Sequence, residues 1–165
     1  FLGSNLGNFA DEAAVGFLRA IRRTMAPDDA LLIGLDLKKE PAIIEAAYDD
    51  AAGITRRFNL NLLERINREL GGDFKPERFS HCPEYDPDTG AARSFLRSEE
   101  DQQVYIAALD RSFRFAAGER IFMEVSQKYD QRMIDSLAAR SGYRVAARFR
   151  DSRGWFTDQL WRPVD

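Results

Sequence analysis

Glu124 and Ser126 form the pair of side chains in this sequence best suited to bind one polar ring. They lie in the segment of residues 123–129, where apolar residues from Ile121 to Val125 predict a β-strand. Residues two apart on a strand point to the same face, so a carboxylate and a hydroxyl group can contact one ligand. The alternative is an exposed strand face, on which Glu and Ser are common and have no function.

Two further segments carry polar groups that can bind a ligand. Gly3 and Asn8 lie in a turn near the start, and the Asn amide offers both donors and an acceptor. Asn8 can instead cap the helix that is predicted to begin near Asp11, or shape the turn. Tyr48 lies near a predicted helix end, where its phenol can donate a hydrogen bond or its ring can cover the core. The acidic residues 49–50 that follow are interpreted as a solvated helix end.

The composition indicates a globular protein and excludes several functional classes. The chain has 165 residues, 44% of them hydrophobic, and a net charge of −3, so it has no basic excess for nucleic acid or an anionic membrane surface. No apolar run approaches the roughly 18 residues of a membrane-spanning helix. His81 and Cys82 are the only residues of their types, too few for a standard zinc site or a disulfide framework. We interpret them as surface or edge-strand residues and expect a cytoplasmic protein without a bound metal.

The first forty residues predict part of an α/β sheet. Residues 1–4 are typical of the end of a buried strand that runs into a turn. A helix is predicted over residues 11–25, and the apolar run 30–36 predicts a strand buried on both faces. Asp36 ends that strand, at the edge where open α/β sheets bind ligands. The adjacent residues 38–40 are interpreted as a solvated loop.

The rest of the chain changes from helices to strands and back. Its predicted elements are helices at 41–50, 55–70 and 130–140, a turn at 86–90, and strands through 104–108, 121–125, 143–149 and 155–161. The second of these helices is predicted to carry an apolar stripe made of Phe58, Leu62, Leu63, Ile66 and Leu70. A helix followed by a β-hairpin with an antiparallel last strand is typical of class I methyltransferase sheets.

Several segments, taken in order, resemble the histidine-specific Nα-methyltransferase family of ergothioneine biosynthesis. They are Phe-Leu-Gly-Ser-Asn-Leu-Gly-Asn-Phe at 1–9, Gly-Leu-Asp-Leu-Lys-Lys-Glu at 34–40, Ala-Tyr-Asp-Asp-Ala-Ala-Gly-Ile-Thr at 47–55, the helix at 58–70, and Met-Glu-Val-Ser-Gln-Lys-Tyr at 123–129. Members of that family use S-adenosylmethionine (SAM) to methylate the α-amino nitrogen of L-histidine three times, which gives hercynine. The resemblance covers essentially the whole chain.

The resemblance implies a Rossmann-like class I methyltransferase fold with an inserted α+β substrate-binding domain. The expected boundaries are 1–40 for part of the Rossmann-like domain, 41–120 for the insertion and 121–165 for the closing helix and strands. No G-x-G-x-x-G motif occurs in these residues. Most of the SAM site is therefore expected before Phe1, in a preceding part of the same polypeptide, and this chain alone is expected to be incomplete and inactive.

The resemblance also implies roles for the candidate residues. Gly3, Asn8 and Tyr48 would hold the amino and carboxylate groups of the substrate, and Glu124 and Ser126 would bind the imidazole.

One position departs from the family pattern. Ser94 stands where family members place a Met beside the imidazole pocket. With Ser94, the site either binds histidine with a looser fit or belongs to a methyltransferase for a different amino acid. A separate alternative is an amino-acid-binding module without catalysis.

Overall fold

The computed structural model describes residues 1–164, which divide into two compact units. The first unit contains Phe1–Glu40, Asp86–Ala92 and the chain from Val125 onward, and the second contains Pro41–Tyr85 and Arg93–Glu124. None of the helices in these residues is long and apolar enough to cross a membrane. The domain boundaries proposed from the sequence stay a prediction.

Four helices and eight strands follow one another in the described residues. They are α1 (Asp11–Arg22), β1 (Leu31–Asp36), α2 (Pro41–Tyr48), α3 (Ile54–Leu70), β2 (Phe79–Asp86), β3 (Ala91–Ser98), β4 (Gln102–Ile106), β5 (Arg111–Phe115), β6 (Arg120–Gln127), α4 (Gln131–Arg140), β7 (Tyr143–Arg150) and β8 (Phe156–Pro163). Short 3₁₀ turns lie at Ser4–Asn8, Pro76–Arg78 and Ala107–Leu109.

The first unit is built on a sheet of order β1-β8-β7. Strand β8 pairs antiparallel with both neighbours, as expected for the last strand. Leu2 forms a parallel bridge to Ile33, so the first residues run beside β1 as the sequence predicts. The core of this unit is apolar and includes the fully buried residues Leu18, Ile33, Ile134 and Trp161. The described helices and strands confirm the α/β class.

The second unit has its own core, formed by residues of α3, of the strands and of the segment between α3 and β2. The strands belong to a sheet of order β2-β3-β6 and to the antiparallel pair β4-β5. Phe74, Phe79 and Phe115 contact one another with ring centroids 5.7 to 6.1 Å apart. Leu63 and Leu96 are buried in the same cluster.

The structure corrects some details of the sequence prediction. Helix α1 ends at Arg22 rather than near residue 25, and Ala108 lies in a 3₁₀ turn rather than in a strand. The proposed stripe on α3 is wrong at Phe58, Leu62 and Leu70, which are exposed. The helix instead buries Leu63 and the polar residue Asn59.

Asp50 caps helix α3, so it does more than end the preceding helix in solvent. Its carboxylate accepts hydrogen bonds from the backbone N–H groups of Thr55 (2.8 Å) and Ile54 (2.9 Å). These bonds lower the pKa of Asp50 from 3.8 to about 2, because they favour the charged carboxylate. A group whose pKa is lower in the folded state stabilises that state above its unfolded pKa, and the contribution is lost as pH falls through about 2.

We expect Asp50→Ala to lower the Tm by about 3 °C at pH 7, because the first turn of α3 loses its acceptor. The difference from the wild type should shrink as the pH falls from about 4 towards 2, where the wild-type carboxylate becomes protonated. Thermal unfolding followed by circular dichroism at several pH values measures this. Asp49→Ala, an exposed neighbour, is the matched control, and a pH-independent difference would contradict the prediction.

Candidate functional site

The carboxyl end of β1 carries a cluster of charged side chains. Asp36 ends the strand, and its two carboxylate oxygens pair with Lys39 Nζ at 2.7 Å and Lys128 Nζ at 2.8 Å. The side chain of Lys39 is only 13% exposed, so the interpretation of residues 38–40 as a solvated loop is wrong for Lys39. The edge predicted to bind ligands is therefore occupied by an ordered ionic network.

Lys128 is the most buried cation of this network, with only 4% of its surface exposed. Its ammonium group donates a hydrogen bond to Ser126 Oγ at 2.8 Å and pairs with Asp36. A buried charge is tolerated when it is paired and hydrogen-bonded. The hydroxyl predicted to bind a ligand is thus itself held by a lysine.

The backbone of Lys128 is fixed by a tight contact with Gly90. The Lys128 N–H donates to the Gly90 carbonyl at 2.7 Å. Gly90 has φ +78°, and a Cβ atom there would collide with the Lys128 carbonyl oxygen, so only glycine fits. Gln127 adds bonds from its Nε2 to the carbonyls of Thr89 (2.6 Å) and Lys128 (2.8 Å).

The turn that holds Gly3 and Asn8 also belongs to the first unit. A Cβ at Gly7 would lie 3.0 Å from the Gln127 carbonyl oxygen and 3.8 Å from Ser126 Oγ, so this turn packs directly against the end of β6. Asn8 is exposed. The N-cap of α1 is Ala10, without a side-chain capping bond, so the alternative in which Asn8 caps that helix is wrong.

Tyr48 ends α2 in the second unit and is half-buried. Its backbone carbonyl lies 2.9 Å from His81 Nε2, and the buried Asn59 places its amide nitrogen 3.2 Å from His81 Nδ1. Both ring nitrogens of His81 thus lie within hydrogen-bond distance of a partner in the second unit. His81 is therefore a partly buried ring that links α3 to the end of α2, and not a simple surface residue.

Ser94 and Glu124 contact each other in the second unit. Ser94 is fully buried, and its hydroxyl donates to Glu124 Oε1 at 3.4 Å. Glu124 itself is partly exposed. The serine that departs from the family pattern thus binds the carboxylate that is predicted to recognise the ring.

Comparisons with known proteins identify the family. The profile of the family described as "Histidine-specific methyltransferase, SAM-dependent" matches residues 1–163. The chain belongs to this family. It is 39% identical over 156 residues to a protein named histidine N-alpha-methyltransferase of Mycolicibacterium smegmatis, covering 94% of this chain and 49% of that protein. A protein of the same name from Mycobacterium tuberculosis is 38% identical, covering 96% of this chain and 47% of that protein.

A more distant relative acts, by its name, on a different amino acid. The L-tryptophan methyltransferase trpM of Psilocybe serbica is 27% identical, and the alignment covers 86% of this chain and 40% of that protein.

The chain spans about half the length of the histidine N-alpha-methyltransferases that it matches.

In this member of the histidine-specific methyltransferase family, the described contacts join the predicted residues in two groups. Ser126 contacts the Gly7 turn and Lys128 in the first unit, and Ser94 contacts Glu124 in the second. Sequence reasoning overlooked Lys128 and the structural role of His81. A lysine two residues after Ser126, on the same face of the chain, is the signal that was available for Lys128.

Proposed function

We propose that the protein transfers methyl groups from SAM to the α-amino nitrogen of L-histidine, with the trimethylated betaine hercynine as the product. The observation that carries this proposal is the identity of 38 to 39% to two proteins named histidine N-alpha-methyltransferase. The match of the family profile over residues 1–163 supports it.

The proposed chemistry is a direct displacement. When bound, SAM supplies an electrophilic methyl group. The enzyme must hold the neutral amine in line with that group, and orientation alone lowers the barrier substantially. No covalent protein nucleophile is needed, so the residues of this chain act by binding and orienting the substrate.

The proposal assigns the recognition of histidine to five residues. Gly3, Asn8 and Tyr48 hold the amino and carboxylate groups, and Asn8 suits this role because its exposed amide offers donors and an acceptor. Glu124 accepts a hydrogen bond from one imidazole N–H, and Ser126 satisfies the other ring nitrogen. A ligand without these ring atoms would leave polar groups unpaired, which costs about 1–3 kcal/mol.

The proposal assigns no residue of this chain to SAM. The sequence has no G-x-G-x-x-G motif, so the fit to a glycine-rich cofactor loop fails for these residues. A cytoplasmic location remains part of the proposal.

The second candidate is methylation of a different amino acid by the same chemistry. Two observations favour it: a relative named for tryptophan, and a buried serine at position 94, where the resemblance implies a methionine. Ser94 donates to Glu124, so it can alter both the size of the ring pocket and the orientation of its carboxylate.

Mass spectrometry distinguishes these functions. The full-length protein is incubated with SAM and a mixture of the twenty amino acids. Sequential gains of one, two and three methyl groups on histidine are expected. Methylation of another amino acid would support the proposed methyl transfer from SAM and contradict histidine as the substrate. A folded protein that methylates nothing would favour an amino-acid-binding module.

A further inference from the structure

We propose that Lys128 is a positioning residue that makes the Ser126 hydroxyl a fixed hydrogen-bond donor, so that the site selects the neutral imidazole of histidine over the imidazolium. This inference rests on the proposed function. It goes beyond that function because it names the protonation state of the substrate and the residue that sets it.

The hydrogen bond between Lys128 and Ser126 has only one possible direction. An ammonium group has three donors and no acceptor, so Ser126 Oγ must accept from Lys128 Nζ at 2.8 Å. The proton of the serine then has to point to a different partner. A hydroxyl that accepts from a cation is also a stronger donor, because hydrogen bonds polarise one another.

Lys128 is held firmly enough to impose this direction. Its side chain is 5% exposed and paired with Asp36, whose backbone carbonyl accepts from the N–H of Tyr129 at 2.9 Å. Gly90 fixes the Lys128 backbone from the other side. Moving the Lys128 ammonium group away would break its ion pair with Asp36 and its hydrogen bond to Ser126.

The charged groups that the structure places near Lys128 and its partner Asp36 include carboxylates and lysines. Asp36 is shared with Lys39, and Lys38 pairs with Asp130 at 3.6 Å and donates to the Asp88 carbonyl. Backbone bonds, chiefly from the Met133 N–H, lower the pKa of Asp130. Histidine is the side chain that ordinarily titrates between pH 5 and 8, and the first unit contains none. Next to Ser126 the histidine substrate is therefore the group expected to change charge in that range, whereas His81 lies in the second unit.

A neutral imidazole matches this arrangement and an imidazolium does not. The neutral ring has one N–H and one acceptor nitrogen, so Ser126 can donate to the acceptor while the N–H binds the carboxylate proposed for it, that of Glu124. An imidazolium has two N–H groups. It would have to use the second lone pair of Ser126, which would bring two cations to one oxygen atom.

The pH profile of kcat/KM for histidine tests the inference. The α-amino group must lose its proton in every variant, so a plot of log(kcat/KM) against pH has a slope of about 1 on its acid side. Below the ordinary imidazole pKa of about 6.5, the wild type should reach a slope of about 2, because the ring must also be neutral. In Lys128→Met, the Ser126 hydroxyl can turn and accept a hydrogen bond from an imidazolium, so we expect the slope to stay at about 1.

Saturation kinetics at about pH 8 provide a second readout. Lys128→Met should raise the KM for histidine about tenfold and change kcat by less than about threefold, since a bond to the ring is weakened. In a Ser126→Ala background, Lys128→Met should have no further effect on KM, because it acts through that hydroxyl. Lys38→Met, which removes the same charge from a neighbouring position, is the matched control and should keep the wild-type profile.

The outcomes separate the inference from the proposed function. A wild type that does not methylate histidine would overturn both. A different result is that the wild type methylates histidine while Lys128→Met has a pH profile of kcat/KM parallel to that of the wild type. That result would overturn only the role of Lys128. If Lys128→Met does not fold, the pH profile of Ser126→Ala decides instead. Its acid-side slope should also stay at about 1 below the imidazole pKa, and an increase to about 2, as in the wild type, would overturn the inference.

Discussion

Replacing Glu124 with alanine is expected to raise the KM for histidine about a hundredfold while kcat changes by less than about threefold. The carboxylate is proposed to accept the imidazole N–H, and hydrogen bonds to charged groups are worth more than neutral ones. The ring lies away from the reacting amine, so its partner should contribute mainly to binding. Initial rates of methyl transfer at varied histidine, with saturating SAM, measure both constants.

Two further variants show whether the carboxylate itself is responsible. Glu124→Gln keeps the shape and an acceptor oxygen, so its KM should lie between those of the wild type and Glu124→Ala. Glu64→Ala removes a carboxylate from an exposed position on α3 and should behave like the wild type. An unchanged KM in Glu124→Ala would contradict the ring-binding role, and the buried Ser94 would then be the residue to examine for a different substrate.

The parts of the fold that the sequence predicted well are those set by local pattern. Residues 31–35 form a continuous apolar run that ends at Asp36, and residues 31–36 become β1 with neighbours on both sides. The helix 54–70 ends at Gly71, whose φ of +62° is the left-handed conformation that suits a helix C-terminus. Such signals need no knowledge of distant contacts.

Tertiary contacts explain why the apolar stripe of α3 was wrong. More than one set of apolar residues on this helix repeats every three to four residues. Periodicity alone therefore could not decide which face of the helix is buried. The helix buries Asn59, whose amide contacts His81 on β2, and leaves Phe58 69% exposed. A buried polar residue with a specific partner overrode the hydrophobic pattern.

The candidate site shows the same limit. The spacing of Glu124 and Ser126 was visible because both belong to one strand, β6. Lys128 was overlooked because lysine is ordinarily exposed, and its burial depends on Asp36, which is distant in the sequence. The contact between Ser94 and Glu124 likewise joins two strands, and no local pattern specifies it.

Asn8→Ala is expected to lower kcat/KM for histidine about a hundredfold without changing the stability of the protein. The amide is proposed to hold the amino and carboxylate groups next to the reacting nitrogen, where a small misplacement is costly. In the described residues its side chain has no hydrogen-bond partner and is exposed. Its loss should therefore leave the Tm within about 1 °C of the wild type.

Asn5→Ala provides the matched control, because Asn5 is an exposed residue of the same 3₁₀ turn. Kinetic constants and thermal unfolding of the two variants should separate recognition from turn geometry. Equal losses of activity in both would show that the turn as a whole matters rather than the Asn8 amide. A lowered Tm in Asn8→Ala alone would indicate a structural role for Asn8. Full activity in Asn8→Ala would remove it from the substrate site and leave the amino group to Gly3 and Tyr48.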